Sequence, residues 1–122
     1  MKILELNHVA ILVKDVEKSC NFYSNVLKLD PMPRPAFDFP GAWFRLGTAQ
    51  ELHIIGGRTE PVTLLDRANH FALRAEDLAP WQEHFKRLGI EFRGPKPRPD
   101  GAMQIFIRDV DGHLIELFTP PK

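Results

Sequence analysis

The chain has 122 residues, of which 43% are hydrophobic and 26% are charged. This length and composition are typical of one globular domain, 1–122, and exclude a fibrous or disordered protein. Lys+Arg and Asp+Glu both number 16, so the formal net charge is zero. A zero net charge argues against a nucleic-acid binder and favours a small-molecule partner. The single cysteine, Cys20, excludes an internal disulfide, and the longest apolar run, residues 9–13, is too short to cross a membrane. We therefore expect a cytoplasmic protein that does not bind membranes.

The chain contains an internal repeat of about sixty residues. The proline-rich segment 31–35 recurs as 95–99, and Asn7-His8 recurs as Asn69-His70 at nearly the same spacing. Further landmarks in the same order are Asp15 with Asp77 and Arg45 with Arg108. Since glycine and proline interrupt regular structure near residues 56–61, we expect two related modules, about 1–58 and 62–122, within one pseudo-symmetric domain.

The first module begins with a β-branched apolar segment, 7–13, that predicts a strand. Asp15 then stands at an N-cap position, and the apolar residues after it recur at helical spacing. The proline-rich segment that follows is expected to be irregular or to form an edge strand, because proline cannot donate to a strand ladder. Residues 42–46 and 51–55 predict a hairpin around Gly47.

The second module repeats this order. Residues 69–75 predict a strand, Asp77 an N-cap, and 103–108 with 113–119 a hairpin around Asp111-Gly112. The sequence therefore predicts, for each module, a strand, a helix and then two or three strands.

Strand alternation places the unusual polar residues on one face of each module. His8 and His70 lie opposite the all-apolar side that should pack on the helix. His53 and Glu116 occupy equivalent positions in the last strand of each module, also on the face away from the helix. If the modules pair around a pseudo-twofold axis, these four side chains can point into one concavity.

Glu116 lies within the apolar segment 114–118, where a charge is costly to bury unless it is paired or binds a metal. Three imidazoles and one carboxylate suit a divalent ion such as Zn²⁺, Ni²⁺, Mn²⁺ or Fe²⁺. The alternative interpretation is an ion pair of Glu116 with Arg74 or Arg108, with the histidines as half-buried core residues.

Several segments of the chain resemble the vicinal oxygen chelate superfamily, which includes glyoxalase I, fosfomycin-resistance thiol transferases, bleomycin-resistance proteins and extradiol dioxygenases. The motifs that carry the resemblance are Asn7-His8-Val9-Ala10, Asn21-Phe22-Tyr23, Gly41-Ala42-Trp43, Glu51-Leu52-His53, Asn69-His70-Phe71 and Arg108-Asp109-Val110-Asp111-Gly112-His113-Leu114-Ile115-Glu116-Leu117. The ending D-x-D-G-x-x-I-E-L is the most specific of them.

The resemblance implies an α+β fold of two βαβββ modules that form a cup-shaped mixed β-sheet, with helices on the convex face and a divalent metal on the concave face. It implies a homodimer, often with each site built from both subunits. The metal ligands fall on His8, His53, His70 and Glu116. Glyoxalase I typically has a glutamate where this chain has His53, so Glu116 would have to be both ligand and catalytic base, or pass the proton to a metal-bound hydroxide.

Five further residues are candidates for substrate binding. Arg45 and Arg108 can anchor an anionic group, or else lie in surface salt bridges. Trp43, Phe106 and Phe118 can line an apolar wall, or else fill the core.

Three functions remain open. The first is a metal-dependent lyase or isomerase like glyoxalase I, which acts on a small α-oxo compound or its thiol adduct. The second is a non-haem iron dioxygenase of extradiol type that uses His8, His70 and Glu116, with His53 outside the ligand set. The third is a metal-free drug- or metabolite-binding resistance protein, against which the complete ligand set argues.

Overall fold

The computed structural model describes residues 1–63 and 69–122, and the chain divides into two compact units, Met1–Pro61 and Val62–Lys122. Each unit has the order strand, helix, three strands, which confirms the predicted βαβββ modules of an α+β fold. The expectation that both units form one domain stays a prediction. None of the helices in the described part of the chain is long and apolar enough to cross a bilayer.

The first unit contains one helix and a four-stranded mixed sheet. Its elements are β1 (His8–Val13), α1 (Val16–Asn25), β2 (Asp30–Met32), β3 (Gly41–Leu46) and β4 (Gln50–Gly56). The strand order is β1-β4-β3-β2, in which β1 runs parallel to β4 and the other neighbours are antiparallel. The proline-bearing β2 lies at the sheet edge, which agrees with the missing N–H of Pro31.

The second unit repeats this arrangement. Its elements are β5 (His70–Arg74), α2 (Ala79–Leu88), β6 (Arg93–Pro97), β7 (Met103–Arg108) and β8 (Leu114–Thr119). The strand order is β5-β8-β7-β6, with β5 parallel to β8 and the proline-bearing β6 at the edge. The two hairpins predicted around Gly47 and Asp111-Gly112 are thus confirmed as β3–β4 and β7–β8.

The two helices begin differently. The Asp15 carboxylate accepts from the N–H of Lys18, as an N-cap should, and the helix starts at Val16. In the second unit the prediction of Asp77 as N-cap is wrong by one residue, because the helix starts after Leu78. Pro80 in the first turn has no N–H to be capped, and Asp77 instead accepts from the N–H of Ala79.

One face of each sheet is buried in the core of its own unit. In β1 the side chains of Ile11 and Val13 are buried whereas His8 is exposed, which is the predicted alternation. α1 packs on β3 and β4, and Tyr23 on that helix is completely buried, which confirms its role in packing. The fully buried side chains of the second unit include Phe85, Ile105 and Ile115.

Candidate functional site

His8 and His53 lie side by side on the sheet face that points away from the core of the first unit. They belong to neighbouring parallel strands, in a register that pairs His8 with Glu51 and Ala10 with His53. The two imidazole rings stack with their centroids 4.1 Å apart and their planes 16° apart. The structure therefore brings together the two histidines that the sequence assigned to this module.

Trp43 covers the other side of His53. It is the direct partner of His53 across the β3–β4 ladder, and its indole stacks on the imidazole at 4.0 Å with an interplanar angle of 2°. His53 is thus held between an indole and a second imidazole, with only 13% of its side chain exposed. Stacking on both faces restricts the ring to one plane.

Glu51 is a second carboxylate on this face that the sequence analysis did not assign to the site. Its Oε1 lies 2.9 Å from Nε2 of His53, and its Oε2 lies 3.7 Å from a guanidinium nitrogen of Arg45. The signal was present in the strand alternation, because residues 51 and 53 must share a face. Arg45, expected to anchor substrate, lies beside Glu51.

His70 and Glu116 form the corresponding pair in the second unit. They lie on the neighbouring parallel strands β5 and β8, and Nε2 of His70 is 3.4 Å from Oε1 of Glu116. Glu116 is only 4% exposed, so a carboxylate is buried beside an imidazole. A buried carboxylate is tolerated only with charge or hydrogen-bonding partners, and here the imidazole is one.

Arg108 is directed to the turn that follows its strand. Its guanidinium donates to the carbonyl of Gly112 at 2.9 Å. The buried Asp109 carboxylate accepts from the backbone N–H groups of the same turn, those of Asp111, Gly112 and His113. Gly112 has φ 100°, a conformation that favours glycine. The D-x-D-G segment is therefore a hydrogen-bonded turn that leads into the strand bearing Glu116.

Three basic side chains that were not predicted from the sequence line a cavity together with the His70–Glu116 pair. A cavity of about 650 Å³ is lined by His70, Glu116 and the basic residues Arg93, Lys96 and Arg98. The proline-rich segment was expected to be irregular or to form an edge strand, and part of it forms the edge strand β6; its side chains were not assigned to the site because their direction was not predicted. In a strand the side chains alternate between two faces, so the structure shows which of them line the cavity. The path of an irregular segment cannot be predicted in this way.

The two phenylalanines expected in an apolar wall lie under these cations. Lys96 Nζ is 5.3 Å and the Arg93 guanidinium 5.7 Å from the ring centroid of Phe106. The Arg98 guanidinium lies 5.9 Å from the centroid of Phe118. Such cation–π distances are favourable, so the aromatic rings help to hold the positive charges at this surface.

Arg98 is also paired with Asp100. Two guanidinium nitrogens donate to the carboxylate at 2.9 and 2.6 Å, which raises the pKa of Arg98, and the charge of Glu116 adds to this effect. The same pairing, with a hydrogen bond from the N–H of Ala102, lowers the pKa of Asp100 to about 2. Both groups are therefore charged throughout the neutral range.

The donor atoms of both units suit a divalent metal in chemical type. Imidazole nitrogens and a carboxylate oxygen are ligands for the zinc, nickel, manganese and iron ions expected from the sequence. Each unit by itself contributes two of the predicted ligands, His8 with His53 and His70 with Glu116. Within residues 1–63 and 69–122, no group of three or more His, Cys, Asp or Glu is arranged to hold a metal ion. The four-ligand set stays a prediction.

Comparison with known proteins agrees with the fold and with the resemblance of the motifs. Glyoxylase I 4 of Arabidopsis thaliana is 29% identical over 126 residues, which cover 96% of this chain and 71% of that protein. Metallothiol transferase FosB of Bacillus licheniformis is 29% identical over 125 residues, which cover 97% of this chain and 77% of that protein.

A solved structure is also similar. The crystal structure of the fosfomycin resistance protein FosX from Listeria monocytogenes has a TM-score of 0.79 at 26% identity, covering 98% of this chain and 93% of that one. The family model Glyoxalase/Bleomycin resistance protein/Dioxygenase superfamily matches residues 5–117. The chain therefore belongs to the Glyoxalase/Bleomycin resistance protein/Dioxygenase superfamily.

Proposed function

We propose that the protein is a metal-dependent lyase or isomerase similar to glyoxalase I, acting on a small α-oxo compound or a hemithioacetal. In this proposal His8, His53, His70 and Glu116 hold one divalent ion. The observation that carries it is the carboxylate of Glu116, which is 4% exposed, lies 3.4 Å from His70 and faces a cavity lined with basic residues. The similarity to glyoxylase I 4 supports the reaction class, and the name of metallothiol transferase FosB supports a metal.

Burial makes Glu116 costly as a purely structural residue. A buried ion pair is often no more stable than apolar residues of the same volume, so stability alone gives little reason for a charge at this position. The neighbours of Glu116 along β8 are all apolar, from Leu114 to Phe118. A carboxylate there is better explained by binding a cation.

A bound divalent ion would supply Lewis-acid stabilisation of negative charge on two neighbouring substrate oxygens. The protein's own residues orient the ligands and favour a charged substrate. Glu51 and Trp43 hold the imidazole of His53 in one orientation, and His70 holds Glu116. The basic residues Arg93, Lys96 and Arg98 favour a substrate that carries negative charge.

Proton transfer requires a base, and the structure offers one in each unit. Isomerisation of an α-oxo adduct removes a proton from the carbon next to the carbonyl. The sequence suggested that Glu116 would have to serve as both ligand and base. Glu51, which lies 2.9 Å from His53, is a second carboxylate for the task, so Glu116 can act as a ligand alone.

One observation favours a second candidate function. Nε2 of His53 faces Glu51, and both faces of its ring are covered. If His53 is therefore not a ligand, His8, His70 and Glu116 form the two-histidine, one-carboxylate set that is typical of non-haem iron oxygenases. Iron dependence with oxygen consumption would identify this second function.

The first sheet ends at β1 and the second at β5, and each is an edge strand within its own unit. An edge strand is the part of a sheet to which a strand of a second copy can be added. We propose a homodimer, which sedimentation velocity of the purified protein will test. A monomer at all protein concentrations would contradict it.

The experiment for the proposed function uses metal-free protein loaded separately with Ni²⁺, Zn²⁺, Mn²⁺ or Fe²⁺. Each form is assayed for conversion of the hemithioacetal of methylglyoxal and glutathione to the thioester, and for oxygen uptake with a catechol. We expect thioester formation with at least one metal. Glu116→Gln should abolish it, whereas Glu83→Gln, an exposed carboxylate on α2 in the same unit, should not. Oxygen uptake without thioester formation would overturn the lyase in favour of the dioxygenase, and no reaction in either assay would contradict both.

A further inference from the structure

The first unit carries a series of aromatic rings that the proposed chemistry leaves unexplained. Phe39 stacks on Phe37 at 5.0 Å with an angle of 25°, and Phe37 lies 6.2 Å from Trp43. The series continues from Trp43 to His53 and His8. We call Phe39, Phe37 and Trp43 the aromatic ladder. It ends at two of the candidate metal ligands.

The outer rings of the aromatic ladder are exposed although they are apolar. Phe37 is 46% exposed and Phe39 39%, in the segment between β2 and β3. An aromatic side chain normally buries most of its surface, because each carries 150–250 Å² of largely apolar area. Two such rings left in solvent beside a cavity indicate a surface that a ligand covers.

Arg34 holds these rings in place. Its guanidinium lies 4.9 Å from the centroids of both Phe37 and Phe39, and it donates to the carbonyl of Phe39 at 2.9 Å. The N–H of Phe37 donates to the carbonyl of Pro35, which closes a turn. The rings are thus fixed by a hydrogen bond and cation–π contacts, so a ligand need not order the segment when it binds.

The aromatic ladder borders a cavity of about 400 Å³ whose lining also includes His8, Glu51 and His53. This volume is at the small end of the range for small-molecule sites and matches one or two fused rings. Phe37 and Phe39 are stacked, and Phe37 and Trp43 are tilted by 47°. Because aromatic side chains attract flat rings in such arrangements, we expect a planar aromatic ring to bind here with higher affinity than a puckered aliphatic ring of the same size.

We propose that this cavity binds a planar aromatic ring of a small-molecule ligand, laid against Phe37 and Trp43 with its substituents toward His8 and His53. The inference rests on the proposed function in one respect only, that the ring belongs to the substrate of the metal site. Binding of the ring itself requires no metal.

The test measures ring binding in metal-free protein. The chain has two tryptophans, so Trp81→Phe leaves Trp43 as the source of a single indole N–H signal in a ¹H–¹⁵N NMR spectrum. This full-length variant is titrated with 2-naphthol and, separately, with decahydro-2-naphthol, which has the same carbon skeleton and hydroxyl but no flat ring. We expect a saturable shift of the Trp43 signal with 2-naphthol, and binding of the saturated analogue that is weaker by roughly threefold to tenfold.

Substitutions then locate the ring. Phe37→Ala should weaken 2-naphthol binding by roughly threefold to tenfold, since it removes one stacking partner. Leu88→Ala is the matched control, because Leu88 is exposed to nearly the same extent, 47% against 46%, but lies on α2 in the other unit. It should leave binding unchanged. Unchanged dispersion of the spectrum shows that each variant is folded.

Three results would overturn the proposal: no saturable shift of Trp43, equal affinity for the two probes, or equal loss in Phe37→Ala and Leu88→Ala. These results are independent of the proposed function, because no metal is present. Ring binding without metal-dependent turnover contradicts only the enzyme, whereas turnover of a hemithioacetal without ring binding contradicts only the aromatic site.

Discussion

Nε2 of His70 lies 3.4 Å from Oε1 of Glu116, across two neighbouring parallel strands of the second unit. The carboxylate is buried, and the imidazole is more accessible, with 29% of its side chain exposed. The same type of pair, His53 with Glu51, occurs in the first unit on a single strand. Each module thus places one carboxylate beside one imidazole on the face away from its core.

Loss of His70 should destabilise the second unit. His70→Ala leaves the buried Glu116 carboxylate with one partner fewer, which we expect to cost about 1–3 kcal/mol of the free energy of unfolding. Urea denaturation of the metal-free variant measures this. The double variant His70→Ala/Glu116→Leu should regain part of the loss, because an apolar residue replaces the buried charge. A double variant less stable than His70→Ala would contradict the view that the buried charge of Glu116 destabilises the fold when His70 is absent.

The core of the second unit depends on Phe85. Its side chain is completely buried, with ring contacts to Trp81 and Phe92. Phe85→Ala should therefore lower the free energy of unfolding by about 3–5 kcal/mol. Leu88→Ala, on the exposed side of the same helix, should change it by less than about 0.5 kcal/mol. Similar losses in the two variants would show that the assigned core is wrong.

Glycine at position 94 is required for two reasons. Gly94 has φ 104°, and an added Cβ would overlap the carbonyl oxygen of Gln104 on the paired strand β7. Gly101 has a similar φ of 94°, but an added Cβ there would make only an ordinary contact with Pro121 at 3.7 Å, so Gly101→Ala mainly reports the conformational cost of about 1–2 kcal/mol. Gly94→Ala should be clearly more destabilising than this control in thermal denaturation. Equal losses of thermal stability in the two variants would mean that β6 can shift to accommodate the added Cβ.

The Asp100 carboxylate should titrate far below an ordinary aspartate. Its pKa is lowered from 3.8 to about 2, first by the hydrogen bonds from Arg98 and then by that from the N–H of Ala102. A lowered pKa in the folded state means that the stabilising contribution is present above about pH 3.8 and is lost as the pH falls through about 2. A ¹³C NMR titration should show this midpoint, and Arg98→Gln should move it part of the way back up. A midpoint near 3.8 in the unsubstituted protein would contradict the pairing.

Much of the fold could be predicted because its signals are local. Alternation in residues 8–13 indicates both the strand and its buried face, and the glycine of Asp111-Gly112 marks a turn. The start of α2 was misplaced because Pro80 alters which N–H groups need a cap, a detail that a lone Asp77 does not reveal. For the proline-rich segments the missing donors left two alternatives, an irregular segment or an edge strand, and the structure has an edge strand in each unit.

The candidate site could be predicted only in part. The repeat and the strand alternation selected His8, His53, His70 and Glu116, and the structure brings them together as two pairs. The alternation put Glu51 on the same face as His53, but it could not show that the two side chains are in contact, or that Lys96 and Arg98 line a cavity with Glu116. Those relationships depend on rotamers and on the path of an edge strand, which residue spacing does not determine.

The metal content of the protein tests the central claim most directly. The protein is purified without chelator or affinity tag, and its bound metals are counted by elemental mass spectrometry alongside Glu116→Gln and the control Glu83→Gln. We expect about one divalent ion per site in the unsubstituted protein and the control, and at least a tenfold loss of affinity in Glu116→Gln, in the range that lost ligand-shell interactions produce. If the protein binds no metal, and added Ni²⁺, Zn²⁺, Mn²⁺ or Fe²⁺ does not stabilise it, the account of Glu116 and the three histidines as a metal site is wrong.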